Sequence, residues 1–389
     1  MQAGEAIIVG GSVGGLFIGT LLQRQGWKVE IYERSSSGLA GKGAGFVPQQ
    51  EVAEILREIH REDVLQTGVV ANERIFLDRN GEIQGLVKTP QAQMSWDLLY
   101  QAWRDQIPSQ YYHLSSGVVL VSTTQDFAEV QLSDRSIHRE DLVIGADGIG
   151  SVVRPAVAPN SHPQYAGYAA FRGLSPEREL PEQGANVVSD RFTFFDATGS
   201  QFLGYTVAGA DGSTRTGERR YNWVWYRQLS LERFAKALES NSGEGRSFSA
   251  PRGGGLSAKT EEELHAAARV RLPAVLSEIV AKEKAPFLQG IFDYETPAMY
   301  RGRVALLGDA AFVVRPHTAM GIAKAAADAM ELRDALVEEA SVEAAFHRYS
   351  ARRMIAGSQI ARHGQRLGER LQMHVKERSG LSYHEDDEA

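Results

Sequence analysis

Ala6-Ile7-Ile8-Val9-Gly10-Gly11-Ser12-Val13-Gly14-Gly15-Leu16-Phe17, continued to Gly26 and through Val29-Glu30-Ile31-Tyr32-Glu33, is the stretch that decides the fold. Its four leading apolar residues stop at a glycine pair, which predicts a short strand buried on both faces of a parallel sheet. From Val13 to Gln25 the apolar positions Val13, Leu16, Phe17, Leu21 and Leu22 recur at helical spacing, and Gly26 supplies the stop. Val29 to Tyr32 then returns as a second strand. The whole is a β-α-β unit, whose right-handed crossover lays two parallel strands side by side. A glycine-rich turn between strand and helix is the context of a dinucleotide fingerprint. Gly10, Ser12, Val13, Gly14 and Gly15 are therefore predicted cofactor contacts, because the turn lets backbone N–H groups and the helix dipole reach a pyrophosphate. Ser12 replaces the middle glycine of the usual pattern. Glu33, with Arg34 beside it, ends the second strand, where a carboxylate takes both ribose hydroxyls and disfavours a 2′-phosphate. This motif alone does not separate NAD from FAD.

Working outward, residues 49–59 read as a helix, and 72–88 as a hairpin turning at Asn80-Gly81. Residues 95–107 return to helical period. Alternating runs at 118–122 and 128–132 lead to a buried strand at 142–145. The chain from Tyr165 to Arg227 is aromatic-rich and β-prone, which predicts an antiparallel sheet. Residues 241–256 are rich in Gly and Ser and read as a mobile surface loop. Val304 to Leu307 is a last buried strand, followed by helices at about 320–338 and 342–372 and a frayed acidic tail from Lys376.

The chain has 389 residues, with 43% apolar and 23% charged, a globular composition long enough for two or three packed units. Lys plus Arg is 42 against 49 for Asp plus Glu, a net charge of −7 that argues against a nucleic-acid partner. There is no cysteine, so thiolate chemistry and Cys-ligated metal are excluded, and no metal site is expected. The opening residues carry acid instead of a basic leader, and no run approaches the ~20 apolar residues of a membrane span. A cytoplasmic protein without a membrane partner is expected, with a homodimer possible.

Two further segments sharpen the cofactor assignment. Asp141-Leu142-Val143-Ile144-Gly145-Ala146-Asp147-Gly148, with Ser151 and Arg154 after it, and Gly302-Arg303-Val304-Ala305-Leu306-Leu307-Gly308-Asp309-Ala310-Ala311 each end a buried strand in a small-residue turn bearing an acid. Asp309 at such a strand end suits a polyol such as the ribityl chain of a flavin, and Asp147 is its counterpart in the second motif. The ordered set resembles the FAD-dependent aromatic hydroxylases, the single-component group built on the para-hydroxybenzoate hydroxylase fold, over about residues 5–372. Tyr165-Ala166-Gly167-Tyr168, Phe171-Arg172-Gly173 and Arg315-Pro316-His317 look like the branch of that family acting on dihydroxypyridines. Departures from the usual family pattern are Phe312 for His, Ala319 for Gly, Met320 for Gln and Ala323 for Asn. The helix around Met94 to Leu98 lacks the Arg that commonly contacts FAD, which leaves Lys42 or Arg154 to supply positive charge.

The resemblance implies an α/β fold: a Rossmann-like parallel-sheet FAD-binding domain, an antiparallel-sheet substrate domain and C-terminal helices. The corresponding boundaries are 1–160 for the FAD-binding part with its hairpin near 72–88, 161–289 for the substrate domain, 290–375 for completion of the first, and 376–389 for a disordered tail. It implies FAD as cofactor, with Pro316, Ala319, Met320 and Gly321 in the loop at the isoalloxazine edge. NADH or NADPH is a transient co-substrate, because there is a single fingerprint, and molecular oxygen is the oxidant through a flavin C4a-hydroperoxide. The substrate is a small, electron-rich, hydroxylated N-heteroaromatic such as 2,6-dihydroxypyridine. Alternatives are a phenolic, salicylate-like or polycyclic substrate, or a protein that binds FAD and an aromatic ligand without catalysis. His317, with a pKa near neutrality, suits substrate deprotonation. Tyr205 and Tyr226 are candidate hydrogen-bond partners of the ring, and Asp293 a candidate to polarise a ring N–H. Trp223 and Trp225 alternate with Val224 and read as strand core.

Overall fold

The computed structural model describes residues 2–41, 43–238, 248–250 and 256–376, with side chains to 369. Strand β1 (Glu5–Val9) lies between two parallel neighbours, β2 (Lys28–Tyr32) and the strand Leu142–Gly145, so that Ile8 stands opposite Ile31 and Ile144. Helix α1 (Val13–Arg24) packs Leu16, Phe17, Ile18, Leu21 and Leu22 into the core beside this sheet. The strand Val304–Leu306 adds next to Leu142–Gly145, also in parallel. Three segments distant in the chain therefore end on one sheet edge, and each is followed by one of the three motifs. In open parallel sheets that edge is where ligands bind, because the following helices or turns present free N–H groups there.

The second sheet runs in the order 249–250, 287–295, 164–176, 220–228, 200–207, 191–197, 69–77, 83–95, 45–46. The expected antiparallel sheet is present and larger than its sequence signal. The hairpin near 72–88, placed in the FAD-binding part by its position in the chain, is in fact an extension of this sheet: Arg74 stands opposite Phe192. The reason is edge satisfaction, since strand 191–197 has an open side that the hairpin pairs. Strand 287–295 likewise belongs to the sheet, pairing with 164–176, so a boundary at 289/290 would cut through a strand.

Side chains alternate across the second sheet. One face carries Phe171, Phe202, Trp223 and Trp225 under the helices Ala258–Arg271 and Ala274–Lys282. Both tryptophans are fully buried there, as strand patterning predicted. The opposite face carries Tyr168, Ala170, Val224 and Tyr226 in a separate small cluster. It looks toward the motif-bearing edge of the parallel sheet. The helices Gly321–Glu338 and Val342–Lys376 close the structure. Tyr349 donates to the carbonyl of Leu306 at 2.8 Å, and Arg353 to Asp328 at 2.6 Å.

Most of the Gly/Ser stretch 241–256, Lys42 and the tail 377–389 lie outside the described residues. Ser249–Ala250, within that stretch, forms a short strand against Leu288 and Gln289 instead of a loop. Among the described residues no helix is long and apolar enough to cross a membrane, and no cluster of side chains is arranged to hold a metal ion.

Candidate active site

A cavity of about 890 Å³ separates the motif-bearing edge of the parallel sheet from the inner face of the antiparallel one. Its first half is built by the glycine turn. Gly10 has φ +102°, and a Cβ there would sit 2.6 Å from the carbonyl oxygen of Ala146. A Cβ on Gly15 would lie 1.9 Å from the oxygen of Gly10, so the turn closes only without side chains. Ser12 occupies the cap position of α1 but makes no capping hydrogen bond, and no acid stands in the first turn. The helix thus offers open N–H groups and an uncompensated positive end to an anion. Ser12, Val13 and Gly14 all line the cavity.

Glu33 is buried, and its carboxylate accepts from Gly11 N and Ser35 N, each at 2.8 Å. Two of about four acceptor sites remain for ribose hydroxyls. Arg34 is exposed beside it. Asp309 is half-exposed at the cavity wall, with Lys324 Nζ 3.5 Å away. Pro316, Ala319 and Gly321 line the cavity. Met320 packs against the core instead, and its N–H donates to Thr318 Oγ1 at 3.2 Å. Ala319 adopts φ +53°, the left-handed conformation that explains why the family pattern has glycine there.

Two expectations are corrected. Asp147 does not line the cavity: its Oδ2 accepts from Val152 N at 2.6 Å and Val153 N at 3.3 Å, and burial pushes its pKa up. It caps its own turn. Arg154 has its donors committed within the protein, because its guanidinium donates to the carbonyls of Ala310, Ile149 and Asp309 at 2.8–3.0 Å and to Gly148 at 3.4 Å, and it stacks over Tyr294. It straps the second motif to the third. The open helix end and Asp309 lie on one cavity, and Glu33 sits behind the glycine turn with its carboxylate on Gly11 N, so these residues fit an FAD.

The second half is the sheet face. His317, Tyr205 and Tyr226 converge here. The rings of His317 and Tyr226 lie 4.4 Å apart, and His317 Nε2 is 2.9 Å from the hydroxyl of Tyr168. The guanidinium of Arg315 lies over the ring of Tyr168, 5.5 Å from its centre. Burial, and then the charge of Arg315, push His317 down to about 4. The near-neutral pKa expected from sequence is therefore corrected: the imidazole is neutral at physiological pH. Burial raises Tyr205 to about 12 and raises Tyr226 further, so both hydroxyls are neutral donors. Asp293 is absent from this group. Both of its carboxylate oxygens accept from Arg315 in a two-point pair.

Sequence reasoning missed the arginines of the cavity, Arg74 and Arg172, and the glutamines Gln91 and Gln289 that accompany them. The signal was period-two alternation: Tyr168, Ala170 and Arg172 share one face of a strand.

Comparison with known proteins agrees with an FAD-binding fold. Residues 165–293 match an "FAD binding domain-like" family model and 247–363 an "FAD binding domain" model. The chain is 27% identical to the 2,6-dihydroxypyridine 3-monooxygenase of Paenarthrobacter nicotinovorans, over 94% of this chain and 91% of that protein. It is 27% identical to the 6-hydroxynicotinate 3-monooxygenase of Pseudomonas fluorescens, over 93% and 90% respectively. The solved structure of 2,6-dihydroxypyridine-3-hydroxylase from Arthrobacter nicotinovorans superimposes with a TM-score of 0.89 at 27% identity, covering 100% of this chain and 96% of that one. A two-layer FAD fold with an aromatic-lined cavity between the layers defines the class, and the chain belongs to the FAD-dependent aromatic monooxygenases of the para-hydroxybenzoate hydroxylase fold. Within that class it is similar to the dihydroxypyridine-hydroxylating enzyme over nearly its whole length.

Proposed function

We propose that the protein hydroxylates a small, hydroxylated N-heteroaromatic ring such as 2,6-dihydroxypyridine, consuming NADH or NADPH and molecular oxygen. The observation that carries this reading is the sheet face of the cavity. Tyr205, Tyr226, Arg172 and the neutral His317 look across at the FAD site, a donor-rich and aromatic-walled space scaled to a flat ring rich in oxygen acceptors. FAD, when reduced, supplies the activated oxygen that the protein side chains cannot.

The remaining work is done by the chain. Gly10, Ser12, Val13, Gly14 and Gly15 receive the pyrophosphate, Glu33 the ribose and Asp309 the ribityl chain. Pro316, Ala319 and Gly321 shape the loop against the isoalloxazine. Tyr205 and Tyr226 orient the ring by donating to its oxygens, and the apolar walls Phe192, Leu203 and Val224 exclude water. His317 contributes a hydrogen bond with Tyr168, because a site with so low a pKa is a weak proton acceptor.

The test is direct. Purified protein carrying FAD is mixed with NADH or NADPH and a panel of hydroxypyridines, phenols and purines, and both cofactor oxidation and hydroxylated product are measured. Stimulation and hydroxylation by hydroxypyridines are expected. Preference for salicylate-like phenols would move the substrate to the alternative class. A yellow protein whose NAD(P)H oxidation responds to no ring would instead be a binder of FAD and aromatic ligand.

A further inference from the structure

Gly11 sits inside the glycine turn but is absent from the wall of the cavity. Both of its backbone polar groups are taken by side chains from elsewhere in the chain. Its N–H donates to Glu33 Oε2 at 2.8 Å, and its carbonyl accepts from the hydroxyl of Tyr112 at 2.9 Å. A Cβ on Gly11 would stand 2.3 Å from that hydroxyl, so the phenol fills the space a side chain would need. Tyr112 begins the short strand Tyr112–His113, which pairs in parallel with β2 and sets Tyr112 beside Ile31.

The phenol is itself held in place. It is buried, its ring lies under the guanidinium of Arg104 at 4.2 Å, and its oxygen is 3.2 Å from the hydroxyl of Tyr100. Both partners belong to the helix Trp96–Arg104. The single phenol proton goes to Gly11, whose carbonyl can only accept, so Tyr112 accepts in turn from Tyr100. Burial, and then the Tyr100 hydroxyl, push the pKa of Tyr112 well up, and the donor keeps its proton at neutral pH.

A trans peptide is planar, and its C=O and N–H point in opposite directions. With the Gly11 carbonyl drawn to Tyr112, the N–H of Ser12 is turned away from the phenol, at a residue that lines the cavity. The Glu33 carboxylate fixes the preceding peptide in the same way, through the N–H of Gly11. From this geometry we infer that Tyr112 is a positioning residue for the FAD pyrophosphate: its hydroxyl sets the Gly11–Ser12 peptide so that the Ser12 N–H is aimed before the cofactor arrives. Without that hydroxyl the peptide is free to rotate in the apoprotein. Binding must then select one orientation, which lowers the apparent affinity. The inference rests on the placement of the pyrophosphate at the glycine turn proposed above, and deepens it.

The experiment titrates the apoprotein with FAD by flavin fluorescence, and then titrates ADP and adenosine separately as competitors of FAD. ADP carries a pyrophosphate and adenosine does not, so the unaltered protein is expected to prefer ADP. Tyr112→Phe keeps the ring under Arg104 and loses only the hydroxyl. It should weaken FAD and ADP about tenfold each, the scale of one lost hydrogen bond, and leave adenosine unchanged. Unchanged adenosine binding also reports that the variant is folded. A preference for ADP over adenosine in Tyr112→Phe equal to that of the unaltered protein overturns the inference alone, whether both affinities hold or both fall together. An unaltered protein that binds ADP no better than adenosine overturns the pyrophosphate placement and this inference with it.

Discussion

The guanidinium of Arg315 meets the carboxylate of Asp293 side-on, with Nε 2.8 Å from Oδ1 and Nη2 2.6 Å from Oδ2. The pair joins the strand Phe287–Glu295 of the antiparallel sheet to the loop that precedes the helix Gly321–Glu338. Arg315 in turn touches Tyr168, and Tyr168 touches His317. One ion pair therefore sets the position of the loop at the substrate side and the charge beside its histidine.

Asp293→Asn leaves a mostly buried Arg315 without its counter-charge. Unfolding free energy from denaturant titration should fall by roughly 3 kcal/mol, the lower range for breaking a buried pair. Turnover should fall with it, through disorder of the loop. Full stability combined with lost turnover would return Asp293 to direct substrate contact.

Glu33→Ala removes the acceptor for two backbone N–H groups and the acceptor we propose for the ribose. Charge-assisted hydrogen bonds contribute about 1.5–3 kcal/mol each, so FAD affinity should drop by on the order of 10² or more. Fluorescence titration of the apoprotein with FAD measures this. Asp309→Ala, with one half-exposed carboxylate lost, should show a smaller decrease in the same assay. Equal affinity in Glu33→Ala and unaltered protein would place the ribose elsewhere.

His317 has a folded-state pKa of about 4, below the ordinary 6.5, so the folded site resists a proton that the unfolded chain accepts. Its contribution to stability is complete above pH 6.5 and declines as pH falls from 6.5 toward 4. His317→Gln should flatten that part of the stability profile. The activity of the unaltered protein should show no inflection near 6.5 from this group. Turnover in His317→Ala should fall by less than the ~10²-fold of a lost general base, with more NAD(P)H oxidised per hydroxylated product. An inflection near 6.5 that disappears in the variant would show that His317 titrates as an ordinary base.

Ala319 holds φ +53° without the glycine that conformation favours. Ala319→Gly should be neutral or stabilise by up to about 1 kcal/mol, because relief of the left-handed strain is partly offset by the greater freedom of glycine in the unfolded chain. Ala319→Val should destabilise and weaken FAD retention, since β-branching is poorly tolerated there. Thermal melts with and without added FAD separate the two effects.

Local pattern was enough to read much of this protein. The strand at 5–9, the helix to Arg24, the parallel return at 28–32 and the hairpin turn at Asn80-Gly81 follow from periodicity and turn residues within a few positions of one another. The three motifs were legible for the same reason, each being a strand end and the turn beside it. What tertiary structure alone decided are partnerships between distant segments. The strap from Arg154 to Ala310 spans 156 positions, and Tyr168 to His317 spans 149. Nothing near Asp293 in sequence says that its carboxylate faces Arg315, and nothing near Arg172 says that it donates to Gln289. The hairpin joined the second sheet because of an open edge more than a hundred residues further on. Periodicity reports which face of an element is apolar, whereas hydrogen-bond pairing, burial and the pKa shifts they cause depend on what the rest of the chain places against that face.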